Sequence, residues 1–271
     1  MAKPENAMQV FSVLDKSNCM KCGEKTCLAF AGMVYQGRRS ISDCPVLDPA
    51  VGVKFAPEVQ ESNVSQAQDD SLENLRQMVA RSDLKEAAGR IGGSFSGKSL
   101  TIKILGKDFG IDTLGNIASD IHVNPWITGP FLIYVMNCQG REVVGEWLSY
   151  RELRGGKERY PLFRKRCEEA MKRVADVYTE LFNDITDLFQ GRKGENLFES
   201  DISVVLPVLP KVPLMICYWK KDEGMESSLN VFFDRTVDDN LGAEAAFTLG
   251  AGLTQMFERL ALKHGYVVQD L

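Results

Sequence analysis

The chain has 271 residues, 44% of them apolar and 25% charged, with a formal net charge of −5. That is enough for one large domain or two modest ones around a real core. The acidic balance argues against a nucleic-acid partner, which calls for a basic face or tail. No run reaches the roughly 18 apolar residues of a membrane span; the longest, over Phe131–Met136, stops at Asn137. The N-terminal MAKPENAMQVF lacks the apolar core of a signal peptide. The chain therefore reads as cytoplasmic, with no membrane or nucleic-acid partner. In a reducing compartment its clustered cysteines are expected to be metal ligands or catalysts, not disulfides.

In chain order, Met8, Phe11 and Leu14 give a first short helix one apolar side. Four of the seven cysteines follow, spaced Cys19-x2-Cys22-x4-Cys27-x16-Cys44, with Pro45 after the last. Thiolates are soft ligands, and four of them satisfy either Zn²⁺ or an iron–sulfur cluster. Zinc modules usually bring two close pairs from separate knuckles. Three ligands crowded on one loop plus a distant Cys-Pro is the pattern of a cubane [4Fe–4S] site; zinc and a redox dithiol are the other readings. Gly23 permits a tight turn between the second and third cysteines. Thr26 is placed to cap a helix LAFAGMVYQG with Cys27 in its first turn, where the positive helix end faces an anionic cluster. Ala29, Phe30, Met33 and Val34 are expected to pack that helix on the first. Lys16, Lys21, Lys25, Arg38 and Arg39 lie close enough in sequence to ease an added electron, or serve as ordinary surface charge.

The segment VFSVLDKSNCMKCGEKTCLAFAGMVYQGRRSISDCPVL resembles the N-terminal four-iron four-sulfur domain of corrinoid iron–sulfur protein large subunits and of RnfB-type electron-transport subunits. Asn18-Cys19, Cys22-Gly23, Thr26-Cys27, Leu28 to Ala31, Gly37 and Cys44-Pro45 carry the likeness. It implies Cys19, Cys22, Cys27 and Cys44 as ligands of a [4Fe–4S] cluster. It also points to one-carbon or corrinoid metabolism in an anaerobe. Lys25 departs from the apolar residue or proline common before the Thr-Cys pair, and removes no ligand. The relatives' barrel and corrinoid-binding domains have no counterpart in the rest of this chain.

Around Pro57 to Asp70 the sequence turns polar and Gln/Ser/Asp-rich without an apolar period, as a solvated linker does. The expected organisation is a cluster domain over 1–52, a linker over 53–71 and an α+β domain over 72–271. Ser71 is placed to cap a helix with Leu72, Leu75, Met78 and Val79 on one side. SLTIKI alternates as a strand and turns at Gly106-Lys107 into a hairpin. EVVGEWLSY reads as another strand. A stripe from Phe163 to Phe189 predicts one long helix over about 161–190. ISVVLPVL, VPLMICYW and LNVFF are three further strands. A last helix from about Leu241 to Lys263 ends at His264-Gly265. The order fits an α+β fold with antiparallel strands on helices, not a βαβ alternation. The stretches GEWLSYRELRGG and LPVLPKVPLMICYW…LNVFFD resemble a family of uncharacterised prokaryotic domains, found alone or behind this cluster module.

Other motifs in this region are weaker. GGSFSGKS over 92–99 matches a phosphate loop on paper but opens a strand instead of a helix, so a turn is expected. Asp120 to Pro125 begins like a corrinoid-binding motif, yet Pro125 replaces its glycine, leaving His122 a loop histidine. His264 suits a helix C-terminus. Pro207, Pro210 and Pro213 read as an ordered connection between strands. Cys138, Cys167 and Cys217 share no ligand spacing; Cys167 and Cys217 are expected to be buried. Asp222, Glu223, Asp234, Asp238 and Asp239 read as turn and helix-start residues, and Arg164, Lys165 and Arg166 as the wet face of a helix. No set of these residues makes a catalytic site, so the expectation is an electron-transfer or binding protein with a redox protein partner. A structural or sensory cluster beside a small-molecule-binding or catalytic domain, its ligand unknown, is the alternative.

Overall fold

The computed structural model describes residues 6–35, 39–47, 62–178, 180–194, 198–222 and 224–266, with 62–69 described by backbone alone. It divides into two compact units, Met1–Ser71 and Leu72–Leu271. The first unit holds α1 (Ala7–Val13), α2 (Cys27–Tyr35) and a 3₁₀ turn at Ile41–Asp43. Val10 and Leu14 meet Phe30, Ala31, Val34 and Ile41 in a small closed core. The helix faces differ from expectation: Met8 is 60% exposed and Ala29 lies outside, because Val10 and Ala31 turn inward instead.

The polar stretch expected as a linker lies outside the described residues over 53–61. Over 62–71 it is helical: α3 (Ser62–Ala80) starts well before Ser71. Lacking an apolar stripe denies a segment packing, whereas Gln66, Ala67 and Gln68 still favour helix, as do Leu72 and Glu73 just beyond. Further along α3, Val79 is buried and Leu72 and Leu75 partly so, but Met78 points outward at 56% exposure.

The second unit is α+β, as the sequence implied. After α4 (Leu84–Ile91), β1 (Ser94–Phe95), β2 (Ser99–Ile104), β3 (Lys107–Asp112) and β4 (Ile117–Ser119) form an antiparallel meander. The β2–β3 loop is Leu105-Gly106, since Ile104 pairs with Lys107; both loop residues have positive φ, at 51° and 77°. Then come α5 (Pro125–Asn137), β5 (Trp147–Ser149), α6 (Gly156–Phe163), a π-helical turn (Arg164–Glu168), α7 (Glu169–Val177) and α8 (Leu181–Leu188). The second sheet is antiparallel in the order β5-β9-β8-β7-β6, with β6 (Arg192–Lys193), β7 (Ile202–Leu209), β8 (Val212–Trp219) and β9 (Ser228–Asp234). The chain closes with α9 (Val237–Asn240) and α10 (Ala243–Lys263).

Two expectations are corrected here. The single helix over about 161–190 breaks at Tyr178, which leaves helical geometry to stack on Tyr266 at 4.6 Å between centroids and to donate its hydroxyl to Asp184. EVVGEWLSY contributes only Trp147–Ser149 to a sheet. The N–H groups of Val144 and Gly145, which a ladder would use, instead donate to the Asp234 carboxylate at 3.1 and 2.7 Å.

One continuous core joins both sheets and the helices. At its centre the Tyr150 and Phe163 rings stack at 4.2 Å, with Phe233 and Phe247 edge-on or tilted around them. Gly250 makes this possible, because a Cβ there would come within 2.9 Å of the Phe163 ring.

Candidate metal centre

Residues 14–26 join α1 to α2 without regular structure. Three of the six non-glycine residues with left-handed φ among the described residues lie here: Lys16, Asn18 and Met20, at 62°, 50° and 57°. Gly23 follows at 86°, its N–H bonded to Met20 O at 3.0 Å. Left-handed non-glycine residues cost about 1–2 kcal/mol each and persist only where their surroundings hold them. The Asn18 side chain supplies that hold, its Oδ1 accepting the Cys27 N–H at 2.8 Å across nine residues. Thr26 Oγ1 accepts the Ala29 N–H at 3.0 Å, the cap its sequence position implies. Cys19 and Cys22 thus ride on a loop whose start is pinned to the first turn of α2, the turn that carries Cys27.

Cys44 comes from a separate segment, just after the 3₁₀ turn. Ser40 and Asp43 form a reciprocal capping box around the 3₁₀ turn, and the Cys44 N–H bonds Ile41 O at 3.3 Å. Cys22, Cys27 and Cys44 all pack, partly buried, against the one small core. Cys19 is exposed, and all four are free thiols. Among the described residues, no three or more Cys, His, Asp or Glu side chains close into a metal-holding set. The structure therefore brings three of the four onto a shared apolar base and leaves the fourth on the adjoining loop.

At Cys19 the surroundings favour the thiolate. The Lys21 N–H, then the Ser17 hydroxyl, hold the Cys19 thiol below the ordinary range. The Arg39 guanidinium lies beside the loop: a Cβ on Gly23 would sit 3.5 Å from its Nη2. Lys16 leans over the Phe11 ring at 5.6 Å, while Gly37 and Arg38 fall outside the described residues. Four thiols, three of them on an apolar base and Arg39 beside their loop, have the donor chemistry of a soft metal centre.

The other motifs settle into structural roles. GGSFSGKS runs from the left-handed cap of α4 through β1 into β2, so it cradles no helix start. His122 is exposed, and Asn124 beside it caps α5. Pro207 pairs with Pro213 in the β7–β8 ladder, and Pro210 sits in its turn. Cys138, Cys167 and Cys217 are buried, and burial pushes the Cys167 thiol up to about 12. Asp234 accepts four hydrogen bonds, from Val144, Gly145 and the N–H and hydroxyl of Thr236. Asp238 and Asp239 pair with Arg154; Asp222 forms a bridge to Met225, and Glu223 lies outside the described residues.

Periodicity gives no hint of Glu168. The π turn inserts an extra residue, so consecutive Cys167 and Glu168 both face inward. Glu168 accepts the Val231 N–H at 3.1 Å and the Tyr160 hydroxyl at 3.2 Å. Burial outweighs these bonds and raises its pKa above the usual carboxylate range.

Two family models match the chain. One, described as "Putative Fe-S cluster", covers residues 14–46. The other, "Domain of unknown function (DUF3786)", covers residues 83–256. A 48-residue stretch, 18% of the chain, is 40% identical to the acetyl-CoA decarbonylase/synthase complex subunit gamma of Methanocaldococcus jannaschii. A 47-residue stretch, 17% of the chain, is 38% identical to the corrinoid/iron-sulfur protein large subunit of Moorella thermoacetica. Each match spans 10% of the relative's own length. No solved structure matches the chain. Among the described residues, no helix is long and apolar enough to cross a membrane.

Proposed function

From a chain that belongs to the DUF3786 family and carries an iron–sulfur module ahead of that domain, we propose a [4Fe–4S] electron-transfer protein whose ligands are Cys19, Cys22, Cys27 and Cys44. The observation that carries this reading is the shared placement of three of those cysteines on one small core, with the fourth on the loop that Asn18 ties to Cys27. A bound cubane supplies a one-electron acceptor and donor. The chain's own residues do the rest. Phe30, Val34 and Ile41 keep water from the inner side of the site. Arg39 and the loop lysines offset the charge added on reduction.

The relatives' names, a complex subunit and a corrinoid/iron-sulfur subunit, support a role in one-carbon chemistry, and the partner proposed for it is a redox protein. Exposure of Cys19 suits this, since an electron must leave through the accessible edge. The proposed organisation keeps the cluster domain at 1–52 and the α+β domain at 72–271, in a soluble cytoplasmic protein.

The test is anaerobic metal and sulfide analysis, with electron paramagnetic resonance before and after dithionite. About four iron and four sulfide per chain are expected, with a spin-½ signal on reduction that Cys22→Ala abolishes. Zinc without sulfide would overturn the reading.

A further inference from the structure

The second unit contains a cavity of about 300 Å³, walled by the β2–β3 turn, the segment leading into α5 and one face of α10. That volume lies at the lower end of ligand-binding cavities. It corresponds to roughly ten waters, too little for a dinucleotide or a macrocyclic cofactor.

Its walls are apolar, formed chiefly by Ile104, Leu105, Trp126, Leu253 and Met256. Two backbone features shape it. Leu105 holds a left-handed φ of 51° in a two-residue hairpin loop, a position that favours Asn or Gly. Its burial and its N–H bond to Pro207 O at 3.0 Å keep it there, and the result is a leucine side chain set into the cavity wall. Gly252 lets α10 run against α5, since a Cβ would come within 3.0 Å of Trp126 Cβ.

One cation, Arg259, stands among the polar lining. His122, Asn124, Gln255 and Arg259 are its polar side chains, and no carboxylate lines the cavity although the chain is acidic overall. Arg259 is exposed and makes no ion pair among the described residues. It continues the stripe of Gly252, Gln255 and Met256 along one face of α10. An apolar chamber with an unpaired guanidinium and a histidine at its rim is complementary to a small molecule with a hydrocarbon body and an anionic end.

We propose that this cavity binds a small apolar carboxylic acid, its hydrocarbon part between Ile104, Trp126 and Met256 and its carboxylate at Arg259 and His122. This site is separate from the cysteine loop and stands whether or not a cluster is bound there.

The experiment is isothermal titration of the full chain with three shape-matched probes: 4-phenylbutyrate, 4-phenylbutan-1-ol and 4-phenylbutylamine. The acid should bind one per chain, at least tenfold tighter than the alcohol, with the amine weaker still. Arg259→Gln should bring the acid to the alcohol's affinity and leave the alcohol unchanged. Met256→Trp, which fills the chamber, should weaken acid and alcohol together by at least tenfold. The proposal is overturned by no saturable binding of the acid up to about 10 mM, by equal binding of acid and amine, or by an Arg259→Gln protein that keeps the acid's advantage. Should Met256→Trp fail to fold, the Arg259→Gln comparison decides alone.

Discussion

The two units solve the same problem with unequal means. The second closes one continuous core across two sheets and their helices, centred on the Tyr150–Phe163 stack. Among its described residues the first has six buried hydrophobic side chains and three partly buried cysteines against them. Assemblies so small rarely hold together on apolar burial alone and lean on metals or disulfides. Nothing comparable is asked of Cys138 and Cys167, small residues within that large interior, or of Cys217, buried beside Val205 and Met215 in a separate cluster. The same residue type is thus filler in one unit and, on the proposed reading, the fastening of the other.

The largest expected effect tests that contrast directly. Anaerobic removal of iron from the full chain should abolish the calorimetric transition of the cluster unit and expose residues 14–47 to protease, while the transition of the second unit stays in place. A cluster unit that melts unchanged without metal would erase the distinction. In the other direction, Phe163→Ala removes half of the central stack and should cost the second unit about 3–5 kcal/mol, with iron content unaltered.

A smaller effect separates the pinned loop from its chemistry. Asn18→Ala loses the bond to Cys27 N–H and places alanine at a left-handed φ, for about 1–2 kcal/mol. Asn18→Gly keeps the backbone freedom and should lose less. Both should act on the cluster unit alone, read as the rate of iron loss to a chelator.

The mildest test uses pH. Glu168 binds its proton more tightly folded than unfolded, because burial raises its pKa from the ordinary 4.5. The folded state therefore holds the extra proton, and this contribution to stability is full below about pH 4.5 and lost as pH rises through the folded pKa. The slope should not exceed about 1.4 kcal/mol per pH unit, and Glu168→Gln should flatten it. An identical profile in the variant would assign the slope to other groups.

Much of this was legible in the sequence because it is local. The Thr26 cap, the Cys27 helix and the three apolar strands β7, β8 and β9 depend on neighbours within a few residues. What could not be read depends on distant partners. Tyr178 breaks its helix for Tyr266, and residues 144–145 leave a would-be strand for Asp234, ninety positions away in sequence for Val144. Leu105 occupies a turn position that an apolar residue seldom takes, so the turn was expected one residue later, at Gly106-Lys107. The four cysteines stood out by spacing, whereas the cavity beside Trp126 is assembled from segments far apart in the chain, none of which carries a motif.

The π turn has a consequence for how this protein meets others. Along one side β9 pairs with β8 from Ser228 to Phe233, but on the other it meets β5 only from Phe232 to Asp234. The Val231 N–H, left over on that side, is taken by Glu168, so a carboxylate stands where a further strand would offer its carbonyl. At the far border of the sheet, β6 is two residues long and basic. Among the described residues neither border of this sheet presents a long open ladder, which denies a neighbouring chain an easy route to strand addition there. Losing Glu168 would leave the Val231 N–H open at that margin rather than merely soften a core.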